Sequence, residues 1–284
     1  MVAREHAGSD GSSTSSVIPA PEIWRCANMT HVPPFESGED RWIEGLAKLR
    51  NVIRQELIAR QLGHLVVPGM SVLDVGCGQG TQALRLAKAG CRVVGLDPSP
   101  TLLGRFAHDA AAECVEVELL QGRVDQLDRV VSGRQFDLVC CHGVFMYLDD
   151  RPTVLASLVA RLAPSGRLSA TFRNAHALAM RPGMRRDWPG AIAAFESVNY
   201  VNELGVPATA DRVEDIRREL TAVGFRIGEW FGVRIFNDAI PADMAVPEDE
   251  DLELLFEAEE LAGKSDPYRW MASQLHIIAE REAL

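Results

Sequence analysis

At 284 residues, 47% hydrophobic and 24% charged, the chain has the make-up of an ordinary globular protein, long enough to bury a full core as one large domain or a domain with a lid. A formal charge of −11 works against non-specific binding to nucleic acid or anionic membrane. Six cysteines with no CxxC pair argue against a disulfide framework or a zinc site, no apolar run is long enough to span a bilayer, and the opening "MVAREHAGSDGSSTSSVIPAP" lacks a signal-peptide core, so the expectation is a reduced, cytoplasmic protein with no metal and no membrane partner.

Residues 1–30 read as a disordered Ser- and Gly-containing tail ahead of one domain over 31–284. In 38–62, Trp42, Leu46, Leu49, Ile53 and Leu57 recur near helical spacing and predict one long amphipathic helix. Short apolar, β-branched runs follow at 71–75, 92–96, 115–120, 136–141 and 167–172, separated by helical stretches at 81–88, 100–112 and 151–162. That alternation predicts an α/β fold with a doubly wound, Rossmann-like, mostly parallel sheet covered on both faces. The "APSG" at 163–166 reads as the turn between the last of these helices and the fifth strand. Beyond Phe172 the rhythm breaks. Segment 173–210 is irregular, carries Trp188, Phe195 and Tyr200, and is expected as a lid insertion over the carboxyl ends of the strands. A helix at 211–223, strands at 225–236 and 273–279, and an acidic amphipathic helix at 247–263 complete the pattern.

The loop after the first strand reads Gly76-Cys77-Gly78-Gln79-Gly80-Thr81. A dinucleotide fingerprint needs its third glycine where Thr81 stands, and a P-loop needs a closing Lys-Ser/Thr pair that is missing. Asp74, just ahead of the loop, would repel a pyrophosphate yet suits an ammonium group. Asp97, at the end of the second strand, is placed to accept hydrogen bonds from a ribose diol. The pattern therefore asks for a nucleoside with a positive charge and no phosphate, and S-adenosyl-L-methionine fits.

Four segments in order over 72–169, "VLDVGCGQG", the acid of "GLDPS", "FDLVCCHGVFMYL" and "LAPSGRLS", resemble the class I S-adenosylmethionine-dependent methyltransferases. The resemblance implies an enzyme, S-adenosyl-L-methionine as its cofactor, and a seven-stranded sheet whose last strand is antiparallel. A narrower likeness, carried by "LAKLRNVIRQEL", "CCHGVF", "FRNAHAL", "GVRIFND" and "DPYRWMASQLHIIA", is to the tRNA 5-carboxymethoxyuridine methyltransferases, which esterify a carboxylate on a wobble uridine. Here Cys77 stands at that family's second glycine position and Gln79 where an acid is usual. The match implies that Arg50 pairs with the methionine carboxylate and that Gly76, Cys77 and Gly78 lie against the methionine moiety, with Asp74 facing its amine. It further implies that Arg123 and Val124 flank adenine, with Asp125 a second candidate, and that His142 contacts the cofactor beside the transfer point.

Methyl transfer is an in-line displacement at an activated sulfonium carbon, for which the protein supplies mainly orientation and a dry site. A carboxylate acceptor is already nucleophilic at neutral pH and needs only a cation to hold it. A hydroxyl acceptor needs a base, with His142, Tyr147, Asp149 and His176 available. Between 173 and 186 lie Arg173, His176, Arg181, Arg185 and Arg186 with no acid among them, candidates for an anionic acceptor. A solvated basic loop balanced by the acidic helix reads equally well. Three functions follow: a tRNA-modifying enzyme, a small-metabolite methyltransferase, and a non-catalytic S-adenosylmethionine-binding protein.

Overall fold

The computed structural model describes residues 43–241 and 244–282. The expected tail, and Trp42 of the expected first helix, lie outside the described residues.

Five strands alternate with helices as the apolar runs predict: β1 (Ser71–Val75), β2 (Arg92–Asp97), β3 (Val117–Gln121), β4 (Phe136–Cys141) and β5 (Leu162–Arg173). After an excursion described below come β8 (Phe225–Val233) and β9 (Gln274–Arg281). The seven form one sheet in the order β3-β2-β1-β4-β5-β9-β8. β1 to β5 pair in parallel, and β9 runs antiparallel to both of its neighbours. The order reverses between β1 and β4, and open α/β sheets bind their ligands at the carboxyl ends of the strands at such a reversal.

Helices cover both faces. The helix α1 (Leu49–Gly63), α2 (Thr81–Lys88) and α3 (Pro100–Ala112) bury Ile58, Leu62, Ala83, Leu86 and Phe106 against Val72, Val93, Leu138 and Ile278. On the other face the short α4 (Leu127–Val130), α5 (Arg151–Ala160) and α8 (Val213–Ala222) bury Leu127, Leu155, Leu158, Ile216 and Leu220 against Leu73, Val139, Phe172 and Ile277. Starts are chemically marked. Ser99 accepts from Leu102 N at 3.1 Å ahead of Pro100, and Asp150 accepts from Thr153 N at 3.3 Å ahead of Pro152. The acidic helix α9 (Asp249–Lys264) packs Phe256 with Leu49, Ile53 and Leu57 of α1 and Val233 of β8.

Three expectations need correction. The first helix is not continuous: a helical turn at 43–45 ends in a break over 46–48, beside Gly45, before α1 begins at Leu49. The "APSG" segment is no turn. Strand β5 starts at Leu162 and absorbs it as a register shift against β4, between Phe136 and Leu138. The third strand starts two residues later than its apolar run, because Val115 N bonds Ala110 O and so closes the end of α3.

The 173–210 segment folds as two short helices, α6 (Met180–Met184) and α7 (Trp188–Glu196), and a hairpin of β6 (Asn199–Val201) and β7 (Pro207–Thr209). Its two ends are tied together: Asp211 N donates to Arg173 O at 2.7 Å, and Arg151 pairs with Asp211 at 2.6 Å. Buried Asn174 donates to the carbonyls of Trp270 and Ala272. Trp188 and Phe195 are 59% and 84% exposed, so neither anchors the segment to the core.

Candidate active site

The loop between β1 and α2 is built for close backbone approach. Gly76, Gly78 and Gly80 have φ of +72°, +56° and +80°, a region costly for residues with a Cβ. At Gly76 a Cβ would lie 2.4 Å from Val144 Cγ2; at Gly80 it would lie 2.3 Å from Phe106 Cδ2. Phe106 is fully buried and cannot retreat. Gly80→Ala is therefore expected to destabilise the protein by at least about 2 kcal/mol, read as a lower urea midpoint at unchanged slope. An unmoved midpoint would mean that Phe106 yields.

Both acids are where the sequence puts them. Asp97 is buried and accepts from Gly78 N at 2.8 Å and Ser99 N at 2.9 Å, so it fixes the shape of the loop as well as closing β2. Asp74 is 4% exposed. Burial, reinforced by the charge of Asp97, pushes its carboxyl up to about 7, with no hydrogen bond opposing the shift. Such a carboxyl fits a ligand that brings a positive charge, as S-adenosylmethionine does. Cys77 packs into the apolar layer, and its thiol is pushed far up by burial and by both acids, so it serves as a small hydrophobe. Arg123 is exposed. Its guanidinium turns onto Asp125 at 3.2 Å and its N–H donates to Gln126, so its side chain is engaged locally, beside half-buried Val124.

His142 follows β4 and heads a buried polar chain. Gln61 Oε1 lies 2.7 Å from His276 Nδ1, His276 Nε2 lies 2.8 Å from Ser169 Oγ, and Ser169 Oγ lies 2.7 Å from His142 Nε2. An amide oxygen only accepts, so His276 Nδ1 carries the proton and His276 Nε2 accepts from the Ser169 hydroxyl. Ser169 in turn accepts from His142 Nε2–H. The lone pair is thereby left on His142 Nδ1, which is buried and has no partner among the described residues. Burial and the charge of Arg54 push the imidazole down to about 3, so His142 stays neutral at physiological pH and is a feeble base.

The arginines divide into groups. Arg50, on α1, donates to Glu203 at the tip of the β6–β7 hairpin at 2.5 Å. Arg181 and Arg185 also approach Glu203, at 3.2 and 3.8 Å. Glu203 is partly desolvated, yet Arg181 and Arg50 hold its carboxyl below the usual range. Arg173, Arg181 and Arg234 converge on Asp238, at 3.7, 2.6 and 2.8 Å. Despite burial, Arg234 and Arg181 keep the Asp238 carboxyl well below its ordinary value. Burial lowers Arg234 to about 9, helped by Arg181, Arg173 and Arg54 and opposed by Asp238. Arg54, one turn after Arg50, forms no ion pair among the described residues.

The basic run therefore does not act as one unit. Arg173 is a buried structural cation, Arg181 is half-buried in the ion-pair cluster, and Arg185 reaches the carbonyls of Ala239 and Ile240. Arg186 is exposed with φ +62°, and His176 pairs with Glu214 at 3.2 Å, out on the surface. Sequence reasoning missed Arg54, Gln61, Ser169, Glu203, Arg234, Asp238 and His276. A signal existed for two of them: Arg54 and Gln61 share a stripe of α1 with Arg50 and buried Leu57, polar residues at positions that the core should claim.

Sheet order, glycine loop and acid pair define a class. The family described as "Methyltransferase domain" matches residues 72–166, the span that holds β1 to β4 and the start of β5. The chain is an S-adenosylmethionine-dependent methyltransferase of the class I type. It is 27% identical over 249 residues to the tRNA 5-carboxymethoxyuridine methyltransferase of Escherichia coli O157:H7, covering 82% of this chain and 88% of that protein. It is also 27% identical over 190 residues to a ubiquinone biosynthesis O-methyltransferase of Methylobacterium nodulans, 60% of this chain and 75% of that one. In fold it is similar to the magnesium protoporphyrin IX methyltransferase of Synechocystis PCC 6803 with bound SAH, at a TM-score of 0.57 and 18% identity over 87% of this chain and 94% of that one.

Proposed function

We propose that the enzyme methylates a carboxylate oxygen, with the 5-carboxymethoxy group of a tRNA wobble uridine as the first acceptor to test. The observation that supports this most is a contrast at the carboxyl ends of the strands. Five guanidinium groups, Arg50, Arg173, Arg181, Arg185 and Arg234, share two carboxylates, Glu203 and Asp238, and Arg54 adds a sixth positive charge close to Arg234, while His142 at the end of β4 is held near pKa 3. An anionic acceptor needs the first feature and does not miss a base. The two relatives named above divide between a carboxylate and an O-methyl acceptor of another kind, and the electrostatics here side with the carboxylate.

In this reading Asp97 holds the ribose diol, Asp74 faces the amine, Arg50 exchanges Glu203 for the methionine carboxylate, and the backbone at Arg123 and Val124 flanks adenine. S-adenosylmethionine supplies the methyl group: a carboxylate oxygen forms the new C–O bond as the C–S bond breaks, the electron pair stays on sulfur, and no proton moves. His142 contributes a neutral acceptor on Nδ1, and the lid excludes water that would screen these contacts.

Tritium transfer from labelled cofactor into separated tRNA and small-metabolite pools tests the reading. The expected product is a methyl ester, whose label is released by mild base. Base-stable label, as on a methylated hydroxyl, would sink the ester assignment. A small-molecule acceptor is the second reading, favoured by the hairpin tip, which sits against Arg50 and donates from Asn202 to Tyr147 Oη at 2.7 Å. Arg185→Gln with Arg186→Gln separates the two. With tRNA as acceptor, this exposed pair should raise KM severalfold and flatten a steep salt dependence, leaving cofactor affinity unchanged. Unaltered KM at every salt concentration would speak for a small acceptor.

A further inference from the structure

We propose that Arg54 is the residue that grips the acceptor's negative charge and so sets the preference of the enzyme for a carboxylate over a neutral acceptor. The inference rests on the ester reading above and adds to it a residue that neither the glycine loop nor the basic run of the lid suggests.

Three observations carry it. Arg54 is half-buried on the face of α1 that meets the strand ends, and its Nη1 lies 3.9 Å from where a Cβ on Gly143 would stand. That places the guanidinium just beyond β4, close enough to His142 and Tyr147 for its charge to influence both. Secondly, its arginine neighbours already have carboxylates: Arg50 has Glu203, and Arg173, Arg181 and Arg234 share Asp238, with the Nε of Arg173 and of Arg234 left without a partner among the described residues. Arg54 has no carboxylate among the described residues. A guanidinium partly withdrawn from water without a counter-ion is unfavourable, and burial lowers its pKa accordingly. Thirdly, no acid among the described residues acts on its charge to oppose an anion. His142 is neutral with its unpartnered nitrogen a lone pair, and burial pushes the Tyr147 hydroxyl up to about 12, so it stays protonated and can donate.

A carboxylate entering here would meet the planar fork of Arg54, which gives two parallel N–H···O contacts, and would complete the missing pair. The fork also orients the acceptor. With one carboxylate edge held, a lone pair of the other oxygen is free to face the methyl group.

The test uses phenoxyacetate, which carries the –O–CH2–COO⁻ group, against its uncharged analogue phenoxyacetamide, both titrated calorimetrically into the full chain saturated with S-adenosylhomocysteine. The wild-type protein is expected to bind the carboxylate at least tenfold more tightly. Arg54→Gln should abolish that preference, Arg54→Lys should restore part of it, and both should bind S-adenosylhomocysteine within about twofold of wild type, which also shows that they fold. A preference that survives in Arg54→Gln overturns the assignment, as does a wild-type protein with no preference. A loss of S-adenosylhomocysteine affinity with the preference intact would place Arg54 on the cofactor instead and equally overturn it. Failure of the ester reading looks different: base-stable label in the transfer assay, with Arg54→Gln still abolishing the carboxylate preference, removes that reading and leaves Arg54 as the anion site.

Discussion

Asp97→Ala should weaken S-adenosylhomocysteine binding by about 10- to 100-fold. In the structure the Asp97 carboxylate already holds Gly78 N and Ser99 N, at 2.8 and 2.9 Å, in a site almost closed to water. Removing it costs the ligand a charge-assisted contact worth about 1.5–3 kcal/mol, and it also unfastens the loop against which the ligand must lie. Asp97→Asn should lose less, because the amide oxygen can still accept from one of the two N–H groups. Calorimetry decides: an alanine variant that is folded and binds with wild-type affinity would remove Asp97 from the cofactor site. A second readout is built in. The charge of Asp97 helps to hold Asp74 in its protonated form, so the alanine variant should also move any pH dependence due to Asp74 to lower pH.

The second large effect concerns Asp74 and runs in opposite directions for stability and binding. Its folded-state pKa is about 7, against 3.8 for an ordinary carboxyl. The folded chain thus holds more protons than the unfolded chain between about pH 4 and 7, and stability falls as pH rises through that window. Ionising Asp74 in its buried setting is a cost that is complete above pH 7. Asp74→Asn should therefore raise the melting temperature of the ligand-free protein at pH 8, with the gain fading towards pH 4. The same substitution should weaken cofactor binding at pH 8 by tenfold or more, since it deletes the charge opposite the amine. Wild-type affinity should itself fall below pH 7, approaching tenfold per unit, and the variant should lack that dependence. A variant that is no more stable at pH 8 than at pH 4, relative to wild type, would mean that Asp74 is not destabilised by its burial. Such an antagonism between stability and function is the expected cost of a preorganised charged site.

Much of this was legible in the residues. The strands β1, β2 and β4 are runs buried on both faces, so their side chains carry one unambiguous signal, and Ser99, Asp150 and the following prolines mark helix starts by their own chemistry. Asp74 and Asp97 could be placed because each stands at the carboxyl end of such a strand, Asp97 as its last residue and Asp74 one residue before the last. Illegible were relations between distant residues. Asp238 gathers Arg173, Arg181 and Arg234 from three separate segments, and no local pattern records that convergence. The basic run at 173–186 looked like one positively charged surface because the sequence shows charge and not partners. Once Glu203, Asp238 and Glu214 arrive from elsewhere, Arg186 is the one member of that run with no ion pair among the described residues. The break at 46–48 escaped the periodicity because Leu46 and Leu49 keep the apolar rhythm across it.

The place of β9 has a consequence for biosynthesis. This strand lies between β5 and β8, and its His276 bonds Gln61 of α1, 215 positions earlier in the chain. On the ribosome, α1 and the first five strands emerge long before their partner does. Until it arrives, β5 has an open edge, the Ser169 hydroxyl lacks its acceptor in His276, and the tautomer of His142 is not set. A nascent chain can bury many of its apolar residues yet hold an unfinished active site, whose polar chain waits for β9. Activity should therefore appear only once β9 has emerged, and the uncovered edge of β5 is where a chain stalled before β9 would pair wrongly.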